Sequence, residues 1–180
     1  MTQQNHAIES YLSKITVRLA DAEFGCDWDV SYENYLFRCV ARRAGYEEFD
    51  HGKSLYLDTF LIFSELTSPN MVSLRAFSSK CLRYLGKSKR IARPEIMQFS
   101  RPFADVPFAF GLPSLCVPVA ITQGIEPSIS QTIQHQLMSS EIPVVCDLVS
   151  GMLHYCKRRP LLRRAFYDFF EDKVVPLIAP

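Results

Sequence analysis

Apolar residues recur along most of this chain at steps of three and four. Ile8, Leu12, Ile15, Leu19 and Ala22 mark one face of a helix over residues 6 to 23, and Gly25 supplies its stop. A second stripe, Tyr32, Leu36, Cys39 and Val40, follows a possible Ser31 cap and precedes Gly45, where a left-handed helix end is usual. The stretch LYLDTFLIFSEL, residues 55 to 66, is apolar on nearly every face, so its periodicity alone does not separate a buried helix from a buried strand. Its length predicts a helix. Ser68 and Pro69 then resemble a cap-and-proline start for a helix with Met71, Leu74, Phe77, Cys81 and Leu85 on its inner face.

Between residues 94 and 127 the pattern breaks. Prolines at 94, 102, 107, 113, 118 and 127, with Gly111 and Gly124, exclude a long helix and predict an irregular apolar segment that wraps across helices. Within it LCVPVAIT, residues 115 to 122, is compatible with a short edge strand. Helical spacing returns in Ile129, Ile133 and Leu137, then in Val145, Leu148, Val149, Met152, Leu153 and Cys156. A last helix runs from Pro160 through Leu162, Ala165, Phe166, Phe169 and Phe170, with Pro176 as its end. There is no internal repeat. The expected fold is all-α, a single helical domain over residues 1 to 180 with about six or seven helices around one core.

Composition agrees with one globular domain, at 180 residues, 48% apolar and 22% charged. No run approaches the roughly 20 apolar residues of a membrane span, and the first ten residues lack the pattern of a secretory signal. A soluble, cytoplasmic protein is expected. The six cysteines contain no Cys-x-x-Cys pair and read as reduced thiols, four of them (Cys39, Cys81, Cys146 and Cys156) on the apolar stripes. Net charge is only +1, but it is blocked: residues 1 to 65 carry −5, residues 66 to 101 carry +7, residues 102 to 156 carry −4 and the remainder +3. A positive surface region is therefore expected.

Motifs for small-ligand chemistry fail on spacing. Gly-Lys-Ser occurs twice, at 52 to 54 and 86 to 88, but the first glycine of a phosphate loop would fall on Glu47 or Cys81, so no nucleotide is expected. Gly52 reads instead as a turn before a Ser54 cap, and Gly86 as the end or a loosening of its helix. His154, Cys156, Cys146 and His135 are zinc-ligand types, yet on a helix His154 and Cys156 diverge by about 200°, which argues against a metal site. Asp21, Glu23, Asp27 and Asp29 do not keep calcium-loop positions and read as acids near a helix start, with Trp28 as a core or hinge anchor. Serine-nucleophile and metalloprotease motifs are missing, so no catalytic residue and no cofactor is named.

The basic block carries the functional expectation. Lys80, Arg83, Lys87 and Arg90 step by three, four and three, which places them on one helix face opposite Leu74, Cys81 and Leu85. Arg75, Lys89, Arg93 and Arg101 extend this ridge, and Lys157, Arg158, Arg159, Arg163 and Arg164 form a second patch. Such residues can hold a phosphate backbone without reading sequence, although the acid-rich first 65 residues could also neutralise them. The first reading is a non-catalytic regulatory or adaptor protein that binds a macromolecule, RNA or DNA included. An alternative is a protein-interaction or self-assembly module that uses Phe103, Phe108 and Phe110 of the proline-rich segment as anchors, with a protein partner or a homo-oligomer as the product. A third is a helical enzyme with a cysteine or histidine centre.

Overall fold

Strands occupy the middle of the chain where helices were expected. The computed structural model describes residues 2–33, 35–49, 53–99, 114–135, 142–157 and 164–180; within these, side chains at 2–5, 49, 53, 55, 87–99, 135, 164 and 165 are not described. Helix α1 (Thr2–Asp21) leads into β1 (Gly25–Tyr32), β2 (Tyr35–Phe49) and β3 (Lys53–Glu65), an antiparallel meander. Helix α2 (Met71–Phe99) crosses to β4 (Ser114–Thr122), which runs parallel to β3, and α3 (Pro127–His135) crosses to β5 (Val144–Asp147), parallel to β4. A tight hairpin adds β6 (Met152–Tyr155), and the chain closes with α4 (Arg164–Phe169), a π-helical turn (Phe170–Val174) and α5 (Val175–Ile178). The strands lie in the order β1-β2-β3-β4-β5-β6, so the fold is a mixed α/β sheet and the all-α expectation is corrected.

The sheet separates two cores. On one face α1 lays Ile8, Leu12, Ile15 and Leu19 against Cys39, Leu57, Leu61, Phe63, Val117 and Val119, joined by Phe170, Val174 and Ile178 from the C-terminal turns. The other face carries Leu74, Phe77, Cys81 and Leu85 of α2 and Ile133 of α3 against Phe37, Val40, Phe60, Ile62, Cys116 and Val145. Strands β3 and β4 are thus covered on both sides, which is why 55 to 66 reads as continuously apolar. Continuous burial hid their period of two.

Helix-like spacing in the first hairpin has a different cause. Cys26 packs toward α1 whereas Val30 and Tyr32 pack toward α2, and between them Asp29 has a left-handed φ of 48°. Opposite, Phe37 faces α2 and Cys39 faces α1, so the alternation of β2 slips at Arg38. Register pairs Trp28 with Cys39 and Val30 with Phe37 and is the same on both sides, so Asp29 and Arg38 are an unpaired interruption with no extra residue in either strand. The slip converts a strand pattern into apolar positions at 36, 39 and 40, which mimic a helical stripe.

Other expectations change with the strands. Residues 145 to 156 form two strands around a turn with Gly151 at φ 67°, in place of one helix. Ser54 lies in β3 and caps no helix, while Gly52 is outside the described residues. Helix α2 begins after Asn70, whose Oδ1 accepts from the N–H groups of Val72 (3.0 Å) and Ser73 (2.9 Å), so Asn70 and not Ser68 is the cap. It continues through Gly86 and Pro94 to Phe99, against the expectation that Gly86 ends it and that an irregular segment begins at 94. β4 is a central strand with neighbours on both sides, and Pro118 sits one residue before its pairing with β5 begins. Pro176 stands inside the first turn of α5 rather than ending a helix.

Candidate functional site

Helix α2 has one apolar stripe and one basic one. Leu74, Phe77, Cys81 and Leu85 are buried, while Arg75 and Arg83 are exposed and Lys80 is half-buried. The ridge read from the sequence is therefore outward-facing as far as its side chains are described. Lys87, Lys89, Arg90 and Arg93 continue on the same helix, at positions whose side chains lie outside the description; Arg101, Phe103, Phe108 and Phe110 lie outside the described residues altogether.

The helix crosses the sheet toward the β1–β2 turn. Phe77 stacks on Tyr35 with ring centroids 5.9 Å apart, and Tyr84 meets Tyr32 and Phe37 edge-on, each at 5.4 Å. These rings hold the helix face at a fixed height over the turn. There Glu33, at φ 45°, accepts a hydrogen bond from Lys80 Nζ at 2.7 Å and stands 3.9 Å from Arg83 Nη1. The hydrogen bond from Lys80, seconded by Tyr32 and the Arg83 charge, holds the Glu33 carboxyl below the usual range. One acid from the first 65 residues thus engages two members of the ridge, as the charge blocks allowed. Arg83 keeps most of its guanidinium in solvent, with its side chain 60% exposed.

Of the second basic patch only Lys157 is described with its side chain. Lys157 follows β6, the sheet edge opposite β1, and its backbone N–H reaches the Gln134 carbonyl at 3.3 Å. Arg158, Arg159 and Arg163 are outside the described residues, and Arg164 opens α4 with its side chain undescribed.

Three polar clusters escaped the sequence reading because each joins residues distant in the chain. Arg38 is ringed by Glu9 of α1, Asp29 of β1 at 3.4 Å and Glu65 of β3 at 3.3 Å, and its Nε is buried without a hydrogen-bond partner. Arg42 holds Asp58 through both carboxylate oxygens, at 3.0 and 3.1 Å, and lies 5.4 Å above the Phe60 ring. Burial leaves Asp58 only 4% exposed in its side chain, so the planar fork of arginine, and not a point charge, suits this pair. Ser130 Oγ lies 2.7 Å from His154 Nδ1, and His154 Nε2 is buried with no hydrogen-bond partner among the described residues.

Three of the cysteines are poorly placed to act as nucleophiles. Burial pushes the Cys39 and Cys146 thiols well up, Cys146 to about 12, and it also raises Cys26, so these three are protonated and poorly nucleophilic near neutral pH. His154 and Cys156 lie two residues apart at the end of a strand, which replaces the helical geometry by which zinc was weighed. Among the described residues no group of three or more metal-ligating side chains converges. Asp27 and Asp29 sit on the edge strand, not at a helix start, and Trp28 is 41% exposed there instead of anchoring a core. No helix among the described residues is long and apolar enough to cross a membrane. Compared with known protein families, curated proteins and solved structures, the chain finds no match.

Proposed function

We propose that this chain acts by binding rather than by catalysis, and that the outward face of α2 contacts a polyanion such as the phosphate backbone of RNA or DNA. The observation that carries the reading is the division of α2 into a buried stripe at 74, 77, 81 and 85 and an outward basic face at 75, 80 and 83. The helix remains unbroken where Lys87 and Arg90 continue the same spacing. Guanidinium and ammonium groups on a rigid helix, backed by packed tyrosines, bind phosphate by charge and counterion release. A reducing setting suits this role, because none of the six cysteines is disulfide-bonded.

The test is binding of a labelled oligonucleotide over a range of salt. Affinity should fall steeply as salt rises, and reversing Arg75 and Arg83 to Glu should remove most of it while thermal unfolding stays unchanged. Each lost phosphate contact should lower the salt slope by about one. Binding that survives the double reversal would sink the proposal.

A further inference from the structure

Strand β2 is 15 residues long, yet β1 pairs with it only as far as Arg42, opposite Gly25. β3 accompanies β2 to Phe49, and among the described residues β4 joins β3 from Asp58 onward. The two strands therefore run on beyond the sheet as a ribbon, and among the described residues no strand pairs with the outer side of β2 from Arg43 to Phe49. One face of this ribbon is closed. Arg43 lies 5.2 Å over the Phe24 ring and donates to the Ala22 carbonyl at 3.2 Å, and Leu57 is fully buried. The opposite face is open, with Ala44, Tyr46, Glu48 and Ser54 exposed. Tyr46 is 75% exposed, and its ring meets that of Tyr56, its direct cross-strand neighbour, in a T-shaped contact at 5.4 Å.

Open strand edges invite pairing unless bulges, charges or prolines blunt them. β1, the outer strand of the sheet, is blunted: Asp29 is left-handed, and Asp27, Asp29 and Glu33 set acids along or beside it. The open stretch of β2 is blunted less: Ala44 to Glu48 contains no proline, no lysine and no residue with positive φ, and of its two acids Glu47 is already paired with Arg43. We infer that a second copy of this chain pairs with it, antiparallel about a two-fold axis at Tyr46.

In that register Ala44 faces Glu48 of the other copy, Gly45 faces Glu47, and Tyr46 faces its own counterpart. No like charges stand opposite, and Glu47 already has Arg43 as its ion partner. The register also completes a row of four tyrosines across the paired ribbons, Tyr56 and Tyr46 from each copy. An axis at Glu47 would set glutamate against glutamate. One at Gly45 would part the tyrosines and drive the incoming strand toward β1. Isologous pairing of this kind closes at two copies.

Sedimentation of the full chain over a concentration series tests the inference, with Ala44 as its register probe. Ala44 is exposed but stands opposite Asp58 of its own β3, so a melting curve checks that each variant protomer stays folded. The unmodified chain should dimerise. Ala44→Lys, which places a cation opposite Glu48 twice, should tighten the dimer roughly threefold to thirtyfold, and Ala44→Glu should weaken it by a similar factor. A monomer at the highest concentration reached overturns the proposal, and so does a dimer indifferent to both substitutions, because it would use another surface.

Discussion

Single side chains in this protein act mainly by closing contacts between remote segments. Tyr11 of α1 donates from its buried hydroxyl to the Ile178 carbonyl at 2.7 Å, fastening the first helix to the last turn across 167 residues of sequence. Replacing Tyr11 by Phe keeps the ring but leaves that carbonyl without its partner, which should cost about 1–3 kcal/mol in urea unfolding. Glu33 works differently, because it is exposed and its worth lies in what it occupies. Glu33→Gln should leave stability nearly unchanged and release Lys80, so that affinity for an oligonucleotide rises by about twofold to fivefold. A titration of Glu33→Gln beside the unmodified chain at low salt measures this directly, and an unchanged affinity would show that Lys80 and Arg83 are not part of the contact.

At the level of elements, α2 offers the cleanest expectation. Gly86 sits exposed inside a continuous helix, and a Cβ built there meets nothing within 4 Å. Gly86→Ala should therefore raise stability by about 0.5–1 kcal/mol, read as a shift of the urea midpoint. A loss would mean that the helix is interrupted at that residue. The same helix shows what was legible beforehand: its buried stripe and its basic face follow from a period of 3.6 that tertiary packing leaves undisturbed. Helix α1 was equally plain, and α3 lies where Ile129 and Ile133 pointed. The strands were hidden for separate physical reasons. Burial on both faces erased alternation in β3, the slip at Asp29 and Arg38 disguised β1 and β2, and β5 with β6 are four residues each around a turn. Only β4 showed through, as LCVPVAIT, and its central position was not readable because strand order depends on which segments meet. The candidate site was half legible for the same reason. Arg75, Lys80 and Arg83 follow from local spacing, whereas Glu33 reaches them only because β1 and β2 form a hairpin.

For the molecule as a whole, thiols and a phenol buried on the α1 side of the sheet link stability to pH. Cys39, Cys146 and Tyr11 all belong to that core, and burial is the first cause that raises each of them. Cys146 is pushed up to about 12 from an ordinary 9.0, and Cys39 and Tyr11 move further in the same direction. Above the unfolded thiol value the unfolded chain sheds protons that the folded chain retains, so stability must fall as pH rises. It is fully present below about pH 9 and lost as pH climbs toward the folded values. Each buried thiol contributes about 1.4 kcal/mol per pH unit within that window, and two of them make the decline steep. Urea midpoints should thus hold level from pH 7 to about pH 8.5 and then drop sharply. Cys146→Ala loses packing at every pH, yet it should shed one thiol's share of the alkaline slope, and that change of slope separates titration from a mere cavity. A midpoint that stays flat to about pH 11 in the unmodified chain would mean that these groups reach solvent before the fold opens.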